Sequence, residues 1–221
     1  MTTEERAPTV QMAASDGSAM PLRLDHRALY AAFDRFPASN GAAIHIARMA
    51  PALFATMGGG LLYVLGDEQL PLYQHEGNVE IVRHARALPN FLDRALDFGA
   101  GLTELLERQA ASLELCHFRD PWAGVPILAR PGRRYQTVYE IDGLPSIELP
   151  HRYPGRAAAT LAEFRAAEVF CWSRAERLIV PSATLRDNLI ALGAPAAKLH
   201  VIPNGADIGA PPPRPSDAPQ R

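Results

Sequence analysis

The sequence predicts a single α/β domain of Rossmann-like architecture, with a mostly parallel sheet of about seven strands and helices on both faces. Three observations carry that prediction. Short apolar runs alternate with longer stretches of helical period along most of the 221 residues. The runs lack a polar face, as strands covered on two sides do. The composition is that of an ordinary globular chain, 48% hydrophobic and 21% charged, with no internal repeat.

In chain order the predicted strands are Ala28–Phe33, Leu61–Leu65, Val79–Arg83, Leu113–Phe118, Tyr135–Ile141, Leu178–Pro181 and Leu199–Pro203. The predicted helices are Gly41–Met57, Asn90–Ala111, Trp122–Ala129, Ala157–Ala175 and Ala183–Leu192. In the first helix Ile46, Ala47, Ala50, Leu53, Phe54 and Met57 recur at spacings of three and four. Pro51 is expected to kink or restart it, because proline has no N–H to offer the carbonyl of residue 47. Gly193 closes the last helix and Pro195 prevents its continuation. The domain is expected to span residues 24–208. Residues 1–23 and the Pro-rich residues 209–221 lack an apolar face to bury and are expected to be disordered.

Several function classes are excluded at this level. The net charge of −2 argues against nucleic-acid binding. No apolar run approaches the roughly 20 residues of a membrane span, and no amphipathic basic helix argues for membrane contact. Two isolated cysteines, Cys116 and Cys171, form neither a disulfide framework nor a metal-ligand pattern, which suits the reducing cytoplasm.

Ligands of such sheets bind beyond the carboxyl ends of the strands. Five loops therefore matter, those after Phe33, Leu65, Phe118, Ile141 and Pro181. After the first strand, Phe36-Pro37-Ala38-Ser39-Asn40-Gly41 runs into a helix. Ser39 or Asn40 can cap it, Gly41 admits a close ligand, and the exposed amides suit a diphosphate; His45 lies one turn on. An ordinary capped helix start would look the same. Cys116-His117-Phe118-Arg119-Asp120-Pro121-Trp122 gathers polar and aromatic groups at one junction. Arg119 could hold an anion and Trp122 could stack on a sugar, or Trp122 could pack on the sheet; Asp120-Pro121 reads as a helix opening. Glu140 and Asp142 share one face of the fifth strand. They could orient or deprotonate a hydroxyl, or Glu140 could simply pair with an arginine.

Taken in order, these segments resemble the N-terminal half of a family 4 glycosyltransferase of GT-B fold. The carriers are Phe33–His45, His117–Gly124, Tyr139–Glu148 with Arg152-Tyr153-Pro154, the helix holding Glu168, Arg174–Ser182, and Lys198–Asp207 with its Pro-Asn-Gly-x-Asp ending. The resemblance implies a retaining transferase that moves a sugar from a nucleotide sugar to a hydroxyl acceptor, with no catalytic metal or other cofactor. It places Asn40 and Gly41 at the donor phosphates, Asp142 where many members carry a reaction-centre histidine, and Asn204, Gly205 and Asp207 at the hinge to a donor domain. The family's Glu-x7-Glu donor motif is not met: Glu68/Glu76, Glu140/Glu148 and Glu168/Glu176 have the spacing without the strand-glycine-helix context. The expectation is therefore the acceptor-side subunit of a split glycosyltransferase, in which Ser39, Asn40, Gly41, His45, His117, Arg119, Trp122 and Glu140 bind substrates and a separate Rossmann-like subunit binds the donor. The alternative is a non-catalytic binding protein that kept the acceptor face.

Overall fold

A computed structural model describes residues 25–152 and 158–205. The expected terminal segments, residues 1–23 and 209–221, and the hinge residue Asp207 lie outside the described residues. Eight strands form one sheet: β1 (Ala28–Arg35), β2 (Gly60–Leu65), β3 (Tyr73–Glu76), β4 (Val79–His84), β5 (Leu115–Phe118), β6 (Gln136–Glu140), β7 (Arg177–Val180) and β8 (Leu199–Val201). Their order is β3-β4-β2-β1-β5-β6-β7-β8, and every pairing is parallel except β3 with β4. The chain runs outward from β1 to β4 and then returns to β5 on the other side of β1. That reversal opens a crevice at the carboxyl ends of β1 and β5.

The eighth strand, β3, departs from the expected seven. Tyr73-Gln74-His75-Glu76 is polar and pairs only through an antiparallel hairpin whose turn holds Gly77 at φ 58°. An edge strand exposed on one side needs no apolar run, so the signal used for the others passes it by.

Six α-helices connect the strands: α1 (Gly41–Met57), α2 (Phe91–Gln109), α3 (Pro121–Ala129), α4 (Pro145–Arg152), α5 (Ala158–Arg174) and α6 (Ala183–Ala191). Helix α4 was not expected, since Pro145 and Pro150 punctuate it. Helix α1 runs through Pro51 without interruption. Ile46, Ala50 and Phe54 are all buried against the sheet, and that packing outweighs the one backbone bond the proline forfeits.

Among the described residues, helix α1 alone covers one face, packing on Tyr30, Ala32, Leu62, Val64 and Ile81. The opposite face carries α2, α3, α5 and α6, whose Phe98, Leu102, Ile127, Cys171, Trp172 and Leu189 form the larger core. Helices on both faces were expected, and this holds only over part of the sheet. Beside α1, the face of β6, β7 and β8 bearing Val138, Ile179, His200 and Ile202 has no helix over it among the described residues, and Ile202 is 50% exposed.

Asp120 ties the crevice together. Its Oδ1 accepts the Ala123 amide at 2.9 Å and caps α3, while its Oδ2 accepts the Phe33 amide at 2.6 Å and fixes the end of β1. This is the structural role that Asp-Pro suggests. Asp120→Ala should cost about 2–3 kcal/mol, as a lost cap and an unsatisfied amide, and Asp120→Asn clearly less. Urea unfolding of both variants measures this, and equal midpoints for wild type and Asp120→Ala would contradict it.

Candidate functional site

The pleat gathers the polar residues. Tyr30 pairs with His117 and His117 with Val138 across β1, β5 and β6, so these three share a face. Arg119 and Glu140, two residues further along, therefore belong to that face too, as does Asp34, four beyond Tyr30 and bonded to Arg119, at the carboxyl edge of the sheet. Helix α1 lies over this face and brings His45 down onto it.

Glu140 is the centre of the cluster and only 3% exposed. Its Oε2 accepts from Tyr30 Oη at 3.1 Å and from His117 Nε2 at 2.9 Å; its Oε1 accepts from Arg119 Nε at 3.2 Å. Since a carboxylate can only accept, His117 must present Nε2–H. His45 Nε2 approaches Oε1 at 2.7 Å as an ion-pair contact rather than an aligned hydrogen bond. The Tyr30 and His117 rings also stack, with centroids 4.7 Å apart.

Burial alone would push the Glu140 carboxyl up. The hydrogen bond from His117 and the charges of His117, Arg119 and His45 outweigh it and bring Glu140 down to about 2. Burial likewise opposes the Arg119 charge, but Tyr30, Glu140 and Asp142 raise its pKa above the ordinary value. Arg119 passes the network on to the rim: NH1 donates to Asp34 Oδ2 at 3.2 Å and NH2 to Asp142 Oδ2. Burial raises the Asp34 carboxyl, with Arg119 opposing and Asp142 and Glu140 adding to the rise.

The cluster floors a cleft of about 700 Å³ lined by Gly41, His45 and Arg48 of α1, by Glu140 and Asp142, by Ile179 and Pro181, and by Ile202–Gly205. Asn40, not Ser39, caps α1, its Oδ1 accepting the Ala43 amide at 2.8 Å. A Cβ on Gly41 would meet nothing within 4 Å, so this side of the helix start is open to a ligand.

The sequence-predicted residues thus divide. Gly41, His45, Glu140, Asp142, Asn204 and Gly205 line one cleft, His117 and Arg119 support it from beneath, and Asn40 holds its helix start. Ser39 is exposed on the preceding loop. Trp122 is placed elsewhere, edge-on to Phe33, Phe91 and Phe164 in the core on the far face of the sheet. Glu140 does pair with an arginine, as its simpler reading held, and also contacts three further side chains. Sequence reasoning missed Tyr30 and Asp34. Their spacing of four puts both on one face of β1, but only the pairing of Tyr30 with His117 makes that the face of His117 and Glu140.

A family model described as Glycosyltransferase Family 4 matches residues 39–209. No curated protein matches the sequence at a significant level. Among solved structures, a sucrose-phosphate synthase from Thermosynechococcus elongatus superposes with a TM-score of 0.59 at 13% identity, covering 81% of this chain and 90% of its own. The UDP-GlcNAc 2-epimerase of Neisseria meningitidis, bound to UDP-GlcNAc, gives 0.54 at 12% identity, over 79% of this chain and 45% of its own. HepE of Anabaena in complex with UDP-glucose gives 0.53 at 17%, over 82% and 45% respectively. At these identities the likeness is one of fold, and the chain spans about half the length of the latter two.

The Glu140 carboxyl has a folded value of about 2 against an ordinary 4.5, so its contribution to stability is complete above pH 4.5 and is lost as pH falls toward 2. At roughly 1.4 kcal/mol per pH unit it amounts to about 3 kcal/mol. Glu140→Gln should remove a similar amount at pH 7 and flatten the acid limb of stability against pH. Denaturant unfolding from pH 2.5 to 7 tests this, and parallel profiles for the two proteins would contradict it.

Proposed function

The chain belongs to glycosyltransferase family 4, and from that premise we propose that it is the acceptor-side half of a retaining sugar transferase, working with a separate Rossmann-like subunit that binds the nucleotide-sugar donor. The observation that carries this reading is the sheet face over which no helix of the described residues lies, at β6, β7 and β8. Strands of parallel sheets are ordinarily covered on both faces. Here the open face, with Ile179 and Ile202, adjoins the cleft that Asn204 and Gly205 also line. A second domain closing there would cover apolar surface and enclose the cleft in one step.

Within such a complex the groups of this chain have distinct tasks. The exposed amides at the start of α1, around Gly41, favour the negative charge of a donor diphosphate such as the one HepE binds in UDP-glucose. His45, held on Glu140, faces the same space. Asp142, fixed by Arg119 at the rim, orients the acceptor hydroxyl toward the sugar carbon. Glu140 is held ionised and has no proton to give, so it serves as the fixed base plate for His45 and Arg119. No metal ion is assigned a part. Asn204, Gly205 and Asp207 would lie where the two subunits meet.

No helix of the described residues is long and apolar enough to cross a membrane. The free, buried Cys116 and Cys171 support a reducing compartment, and we place the protein in the cytoplasm.

Affinity purification from the source organism should recover a second Rossmann-like protein of about 150–200 residues, the size of one domain, at equal stoichiometry. The reconstituted pair should transfer sugar from a nucleotide sugar, and the purified single chain should not; transfer by the single chain would end the split arrangement. In the pair, Asp142→Ala should lower kcat by about 100-fold or more with KM little changed. Unchanged turnover would instead favour a binding protein that kept the acceptor face.

A further inference from the structure

A second cleft, of about 870 Å³, opens beyond the carboxyl ends of β2 and β4. It lies on the α2 side of the sheet, away from the Glu140 cleft, and none of the residues assigned above line it. The end of β1 divides the two. Successive residues of a strand point to opposite faces: Asp34 accepts from Arg119 in the first cleft, while Arg35 lines the second.

Three guanidinium groups, those of Arg35, Arg86 and Arg94, line this second cleft. Each is held in a different way. Arg86 NH1 donates to Asp97 Oδ1 at 2.6 Å, and Asp97 Oδ2 is in turn 2.7 Å from His84 Nε2. Arg94 NH1 donates to the Leu88 carbonyl at 2.6 Å, and its guanidinium carbon lies 6.0 Å from the centres of both the Phe33 and Phe91 rings. A carbonyl and two rings position this group without cancelling its charge. Arg35 is 60% exposed and reaches Asp67 only at 3.8 Å, while Asp67 Oδ1 already accepts the Gln69 amide. A planar fork of N–H donors held in place is suited to carboxylate or phosphate oxygens. Alongside, Asp67 and Glu68 offer acceptors for hydroxyl groups.

We propose that this cleft holds the acceptor by an anionic group, a phosphate or carboxylate on a polyhydroxylated molecule, with Arg94 and Arg86 binding the anion and Arg35 closing over it. The inference rests on the reading of this chain as the acceptor-side half. It adds the place and the charge of the acceptor. Anchored on the α2 side, such a molecule would extend a hydroxyl past the end of β1 toward Asp34 and Asp142.

The test is calorimetric titration of the 221-residue chain with glucose 6-phosphate, glucuronate and glucose. At least one charged sugar should bind ten-fold or more tighter than glucose, and which of the two does so tells phosphate from carboxylate. Arg94→Gln and Arg35→Gln should each weaken that binding about ten-fold or more. Arg186→Gln, on α6 and lining neither cleft, should not. Arg35 is exposed, so its variant keeps the assignment testable should Arg94→Gln fail to fold. Equal binding of charged and neutral sugars, no binding at 10 mM (a concentration of the order of ~100 times a typical sub-millimolar affinity), or an equal loss with Arg186→Gln would each overturn it. Those outcomes leave the transferase reading standing, because that reading is judged by turnover of the reconstituted pair. Conversely, binding that follows the arginines in a pair without turnover keeps the cleft and removes the transferase.

Discussion

One buried carboxylate organises the functional edge of this domain. Glu140 sits at the end of β6, shielded from water, and would be costly there unless its charge were matched. Tyr30, His117 and Arg119 donate to it and His45 leans on it, so strands β1, β5 and β6 and helix α1 are joined at one point. Those strands flank the reversal of strand order. The crevice that topology makes available is thereby given fixed walls. Arg119 then carries the order outward, holding Asp34 and Asp142 at the rim through the nitrogens that Glu140 leaves available.

A different clamp steadies the other side of the same edge. Arg83, nearly buried in β4, donates to the carbonyls of Phe36 and Pro71 and to Gln74 Oε1. It therefore fixes both the loop that leads into α1 and the segment ahead of β3. Asp120 does the same for β1 and α3. Neither residue faces a cleft, yet each sets the position of a loop that does. Sites built on such supports can hold side chains in place without a ligand, which lowers the ordering cost when one binds.

The sequence made the alternation of strands and helices legible because buried strands have to be apolar and amphipathic helices have to be periodic. Where neither constraint applied, the reading failed. Strand β3 is polar because it is an edge, and α4 hides behind two prolines. Pro51 carries a strong local rule that burial of Ile46, Ala50 and Phe54 overrides. Among the site residues, Glu140, Asp142, Arg119 and His117 were read from polar residues at strand ends, and His45 from its place one turn into the first helix. Tyr30 and Asp34 needed the register of β1 against β5, which no local pattern contains. Trp122 shows the opposite limit, since an aromatic at a strand-to-helix junction serves a core as readily as a sugar, and here it packs with three phenylalanines. The second cleft was invisible because its arginines come from the end of β1, the loop after β4 and helix α2, which only the fold brings together.

The pairing of Asp142 with Arg119 bears on the chemistry that the proposed half-transferase would contribute. The Asp142 carboxylate accepts from Arg119, which fixes it at the rim. So placed, it would orient an acceptor hydroxyl in the proposed transferase. Charge developing on a departing diphosphate would, on the same reading, be met by the amides at the start of α1 and by donors of a partner domain. On the proposed reading, this chain would supply the rim that aligns the nucleophile, and a partner would supply most of the electrophilic assistance. Assembly and activation of such a pair would be the same event.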